Sequence, residues 1–174
     1  MIVGYILVIL LVLIDQISKI IVENNMVLYE LVVFIKPILN FRFTYNTGAA
    51  WSILSDHRWL LALISIVASA GLLYLLKDFN LKKHKIYSIA LALVTSGAIG
   101  NLIDRVFREK GVVDFLEFGF MEFPIFNIAD SFLTVGVAML AVHILFFSKD
   151  GTLPFMEKKE NKEKEENIEV VEEK

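Results

Sequence analysis

No cysteine occurs in the 174 residues, which excludes a disulfide framework, a thiolate metal site and a cysteine nucleophile. The three histidines, His57, His84 and His143, are isolated from one another, so no H-E-x-x-H zinc site or similar cluster can be read. There is no glycine-rich phosphate loop and no basic patch of the kind that binds nucleic acid. Only three prolines are present, and no hinge is long enough to separate domains. Charge is the most telling absence. Residues 59–76, 86–103 and 131–148 each run for 18 residues without Asp, Glu, Lys or Arg.

What fills those runs is apolar, as is 56% of the whole chain. An 18-residue helix rises about 27 Å, close to the hydrocarbon thickness of a bilayer. Residues 2–22 are almost as apolar, broken only by Asp15 and Lys19. Four membrane spans are predicted, at about 2–22, 59–76, 86–103 and 131–148. The first lacks a basic n-region and an A-x-A-like site, and carries two charges in its second half, so it reads as a retained span rather than a signal peptide.

The formal net charge of −3 sits in the tail, where residues 156–174 hold 8 Glu and 5 Lys. That tail reads as a solvated segment without chemistry. The stretch KDFNLKKHK (77–85) packs four lysines between the second and third spans, which points it and both termini toward the cytoplasm. The segments 23–58 and 104–130 then face outward. In the first of these, NFRFTYN (40–46) alternates in the manner of a half-buried strand, and VLYELVVFI (27–35) is rich in β-branched and aromatic residues. A small outer sheet is expected, followed by a turn at Gly48 and a short interfacial helix within TGAAWSIL (47–54), with Trp51 at headgroup level. The fold class expected is an all-α membrane protein of four helices with that sheet and interfacial helix added.

With this orientation, Asp15 and Lys19 of span one, Asn101 and Asp104 of span three, Asp114 in the connecting loop, and Asn127 and Asp130 at the start of span four gather at one membrane face. Each has an ordinary structural explanation. Asp15 and Lys19 pair at i, i+4; Asp104–Arg105 reads as an interfacial anchor; Asn127 and Asp130 suit a helix start. Their convergence is harder to explain, because ionisable residues inside membranes are costly. Ser18 and Lys19 point about 100° apart on a helix and cannot form a dyad. Carboxylates remain. Two that share a site share one proton, so the ionised member can activate water while the protonated one polarises a carbonyl. Asp114 and Asp130 are the best-placed pair.

Five ordered blocks carry a resemblance: DQISK (15–19), YNTGAAWSIL (45–54), GAIGNLIDR (97–105), VVDFLEF (112–118) and FNIADSFLTVG (126–136). Along nearly all of its first 148 residues the chain resembles the lipoprotein signal peptidases (signal peptidase II) of bacteria. The resemblance implies one membrane peptidase domain over 1–155, followed by a charged cytoplasmic tail. It implies an aspartic endopeptidase of the bacterial cytoplasmic membrane, active at the extracytoplasmic face without a cofactor or metal. Such an enzyme cuts diacylglyceryl-modified prolipoproteins before the lipidated cysteine. By the same resemblance Asp114 and Asp130 are catalytic, and Asn46, Asn101, Arg105 and Asn127 bind substrate. Asp15, Lys19, Gly48 and Asp104 support the site. The expected partners are the lipidated precursors and membrane lipid, with the enzyme a monomer. The alternative is a proton-coupled transporter or channel subunit using Asp15, Asp104 and Asp130 as a relay; against it, the acids cluster on one side and no internal repeat is evident.

Overall fold

The computed structural model of the chain describes residues 2–48, 58–148, 153, 154 and 156. The predicted interfacial helix with Trp51, His57 and nearly all of the charged tail lie outside the described residues. Four helices are long and apolar enough to cross a membrane. They are α1 (Ile2–Asn25), α2 (Arg58–Leu75, extended by a 3-10 turn over Leu76–Asp78), α3 (Lys85–Phe107) and α4 (Ile128–Phe146). Between them come β1 (Leu31–Ile35), β2 (Leu39–Asn46) and β3 (Val112–Phe118), which form one antiparallel sheet in the order β1-β2-β3.

The helices are patterned inside out. On α1 the buried residues are Gly4, Val8, Asp15, Lys19 and Val22, one stripe at helical spacing, and it contains both charged residues of the apolar run. Ile9, Leu13, Ile17 and Ile20 lie exposed on the other side, as they would against lipid. α3 is the centre: 61% of its apolar window is buried, against 17–22% for the other three helices, and it packs on all of them.

Small residues permit this packing. A Cβ placed on Gly97 would lie 2.4 Å from the Ala129 carbonyl oxygen and 2.7 Å from Leu133 Cγ, so α3 and α4 touch backbone to backbone. Three residues on, a Cβ on Gly100 would fall 2.6 Å from Asp15 Oδ2. Bringing a carboxylate of α1 this close to α3 therefore needs glycine at that position.

The sheet corrects the sequence reading at Asp114, which lies in β3 rather than in a loop. Alternation along β3 explains its direction. Val113 and Phe115 turn into a core with Val22 and Phe43, while Val112 and Asp114 face the opposite way, onto a cavity. The first predicted strand also starts later, at Leu31, because residues 27–30 make a turn through Tyr29 at φ 67°.

Replacing Gly97 with Ala forces α4 outward. A loss of about 1–3 kcal/mol is expected from overpacking, read as a lower melting temperature in detergent. Gly71→Ala is the control, because nothing lies within 4 Å of a Cβ there; it should melt at or slightly above the wild-type temperature.

Candidate active site

Two chain reversals bring Asp114 and Asp130 to one wall. After β3 the chain returns and pairs Phe126 with Leu116, through N–H···O bonds of 2.9 and 2.7 Å. This sets Asn127 beside Asp114. α4 then begins at Asn127 with a reciprocal cap: its Oδ1 accepts the Asp130 N–H at 2.9 Å, and Asp130 Oδ2 accepts the Asn127 N–H at 3.1 Å. The capping role foreseen for these two residues is therefore present, and it coexists with a second one. Asn127 Nδ2 donates to Asp114 Oδ1 at 2.7 Å, so one amide touches both acids.

Every oxygen of the two carboxylates has a donor. Asp114 Oδ2 accepts from Asn46 Nδ2 at 3.0 Å, and Asp130 Oδ1 accepts from Asn101 Nδ2 at 2.7 Å. Asn46 lies diagonally across the β2–β3 ladder from Asp114, since Thr44 is directly opposite Asp114 and Asn46 is opposite Val112. Its amide is turned the right way by Gly48, whose N–H donates to Asn46 Oδ1 at 3.0 Å. Asn101 Oδ1 accepts from Lys19 Nζ (3.2 Å) and Asn127 Nδ2 (3.0 Å), which leaves its nitrogen for Asp130.

Behind the acids lies an ionic knot. Asp15, Lys19 and Asp104 are all fully buried, and Lys19 Nζ is 2.9 Å from a carboxylate oxygen of each aspartate. The Asp15–Lys19 helical pair is thus real but incomplete, and Asp104 is no interfacial anchor: it belongs to this knot. Arg108 adds a second cation, 3.0 Å from Asp104 Oδ1, and is itself paired with Glu23. Ser18 donates to the Asp15 carbonyl at 2.6 Å and takes no part in a dyad with Lys19.

Arg105 lines the same cavity as the two acids, and its charge acts on Asp130, Asp114 and Asp104, in that order of strength. Nη1 lies 3.4 Å from Ser65 Oγ across on α2. The cavity, about 640 Å³, runs from the acids down between α2 and α4, where Ala68, Ala98 and Leu133 line it. Near the sheet its rim is aromatic, with the Phe118 ring packed at a tilt against Phe126 and Phe123. Phe115 is buried in the core instead, and Phe120 is exposed. A concave, largely apolar site with a few convergent polar groups suits an amphiphilic ligand.

Of the ten residues picked from sequence, all fall in this one region. Three participants were missed: Gln16, Arg108 and Ser65. Arg108 had a readable signal in its i, i+4 spacing from Asp104; Ser65, a hydroxyl in an apolar span, had none. Among the described residues no group of three His, Cys, Asp or Glu is arranged to hold a metal ion. His143 is buried on α4 against Tyr87, their rings 5.8 Å apart. Burial, reinforced by the neighbouring Asp130, pushes the Asp114 carboxyl up to about 7 from 3.8, although its bonds to Asn46 and Asn127 oppose this.

Most of the chain is similar to known proteins. Residues 7–146 match the family model described as signal peptidase (SPase) II. The lipoprotein signal peptidase of Bacillus pumilus (strain SAFR-032) is 42% identical over 147 residues, covering 83% of this chain and 94% of the relative. That of Pseudomonas syringae pv. tomato (strain ATCC BAA-871 / DC3000) is 43% identical over 152 residues, covering 83% and 87% respectively. A bacterial membrane enzyme solved by the in meso method at 2.3 Å superposes with a TM-score of 0.73 at 33% identity, over 87% of this chain and 94% of that one.

The raised Asp114 carboxyl has a consequence for stability. Between pH 4 and 7 the folded protein holds a proton that the unfolded chain has released, so stability falls as pH rises through that window and levels above it. The melting temperature of wild type relative to Asp114→Asn should therefore decline from pH 4.5 to 7.5. A difference independent of pH would contradict the assignment.

Proposed function

Because the chain belongs to the signal peptidase II family, we propose that Asp114 and Asp130 are its catalytic dyad in the removal of signal peptides from prolipoproteins. The observation that carries this reading is the double bridge of Asn127, which holds both carboxyls on one cavity wall. Asp114, raised to about 7 by burial beside Asp130, donates in its protonated form to the scissile carbonyl oxygen. Asp130, less buried, takes a proton from water as that water attacks the carbonyl carbon. The tetrahedral intermediate then collapses: the C–N bond breaks, the proton gained by Asp130 passes to the departing amine, and one hydroxyl of the gem-diol returns its proton to Asp114 as the new carboxyl group forms. No metal or cofactor enters these steps.

The substrate is a diacylglyceryl-modified precursor cut before its lipidated cysteine. The apolar cavity between α2 and α4 supports this, since it lets acyl chains stay in lipid while the peptide meets the acids. Arg105, Asn46 and Asn101, which line the cavity, hold the peptide and glyceryl oxygens. Asn127, expected from the resemblance to bind substrate too, is fully buried with its amide committed and acts through the two acids. The site belongs at the extracytoplasmic face, with both termini cytoplasmic. The support is the lysine-rich segment 77–85, at the end of the bundle opposite the acids. The carboxylate-relay alternative gains nothing here: Asp15, Asp104, Asp114 and Asp130 are bound to one another through a single network at one end.

Asp114→Asn and Asp130→Asn should each lower cleavage of a lipidated precursor by about 10³-fold or more while leaving a folded membrane protein. Near wild-type turnover in either variant removes that residue from the dyad. Arg105→Ala should raise KM about tenfold or more, the worth of one charged hydrogen bond, with kcat within about threefold. An unchanged KM would count against its role in binding.

A further inference from the structure

Asp15 and Asp104 do the same thing at two places. Asp15 Oδ1 accepts the peptide N–H of Ala129 at 2.9 Å, and Asp104 Oδ2 accepts that of Val113 at 3.2 Å. Ala129 directly precedes Asp130, and Val113 directly precedes Asp114. Each member of the dyad therefore has its backbone tethered, one residue upstream, by a carboxylate from another helix. Both tethers end on one ammonium, with Lys19 Nζ 2.9 Å from Asp15 and 2.9 Å from Asp104. Gln16 Nε2 makes a parallel bridge, 3.1 Å from Asp15 Oδ2 and 3.1 Å from Asp104 Oδ1.

We propose that Lys19 is a positioning residue: through Asp15 and Asp104 it clamps the two backbones that carry Asp114 and Asp130, and so sets the separation of their carboxyls. This rests on the dyad reading above. Sealed from water, the ammonium and its two carboxylates are held only by fixed protein groups, Asn101, Gln16 and Arg108 among them, so their contact distances act as a rigid spacer between β3 and the start of α4. Two acids that share a proton need such a spacer. Drawn apart they lose the coupling; pushed together they strain the cap at Asn127. A displacement of about 1 Å at reacting groups costs on the order of 10²-fold in rate.

The test is a charge-balanced double substitution, Asp15→Asn with Lys19→Met. It removes one positive and one negative charge that are in contact, keeps an amide oxygen for the Ala129 N–H, and leaves Asp104 paired with Arg108. Lys19 itself lowers the Asp114 carboxyl, so its removal acts on that titration directly, while Arg105 of α3 remains as a charge facing both acids. Two quantities are read: kcat and KM on a lipidated precursor peptide, and the infrared titration of the Asp114 carboxyl, identified by its absence in Asp114→Asn. Expected in the double variant is a fall in kcat of about 10²-fold with KM within about threefold. The midpoint is compared between wild type and Lys19→Arg, which keeps the cation, and should fall as the acids separate. A folded double variant with wild-type kcat overturns the clamp.

Lys19→Arg restores the charge on a planar fork of different reach, and covers the case in which the double variant does not fold. It should recover the melting temperature but not kcat; recovery of both would make the lysine merely structural and overturn the proposal. If Asp114→Asn still cleaves, the dyad reading falls separately, and the titration shift alone then decides the clamp.

Discussion

Asn127 spends one side-chain amide on three partners. Its oxygen accepts the Asp130 N–H that begins α4, and its two N–H bonds go to Asp114 and Asn101. An amide has one oxygen and one NH₂ group, so turning it over would break all three bonds at once. The start of a membrane helix and the spacing of two acids are thereby one structural fact. A helix end in a poorly hydrated place must satisfy its free N–H groups somehow. Here the residues that do so are also the ones that bind the carboxyls.

The same economy governs the charges. Four aspartates near the rim of a bilayer would each be costly if left unpaired. Asp15 and Asp104 are met by Lys19 and Arg108, and the other two by three asparagines and the field of Arg105. Breaking one partner of such a buried set costs several kcal/mol, about 3–5 by measured examples. That cost makes the network rigid, and rigidity is what a reaction between fixed groups requires.

Much of this was visible before any coordinates. The four spans end within a few residues of where their uncharged runs stop, because the bilayer sets a length that composition must meet. Asp15 and Lys19 could be paired from spacing alone, and the block around Asn127 carried the sign of a helix start. β3 was not visible. VVDFLEF has apolar residues on both sides of its pleat, since its first half is buried on both faces, and so it lacks the alternation that revealed β2. Asp104 could be read two ways, as an interfacial anchor or as support for the site, for a related reason: a charge at the end of an apolar run looks the same in sequence whether it meets headgroups or a lysine on another helix.

The sequence by itself determined which groups are present and roughly how deep each lies, because hydrophobic length and helical period act locally along the chain. It determined the family as well, through five blocks kept in order. Only the tertiary structure decided the partners. Which oxygen of Asp114 faces Asn46, which carboxylate holds the N–H before each acid, and that one ammonium joins the two depend on contacts between separate elements, across 68, 9 and 114 residues of chain, some of which a single methyl group on Gly97 or Gly100 would prevent. Local chemistry cannot express that, because hydrogen-bond direction exists only once both partners have a place.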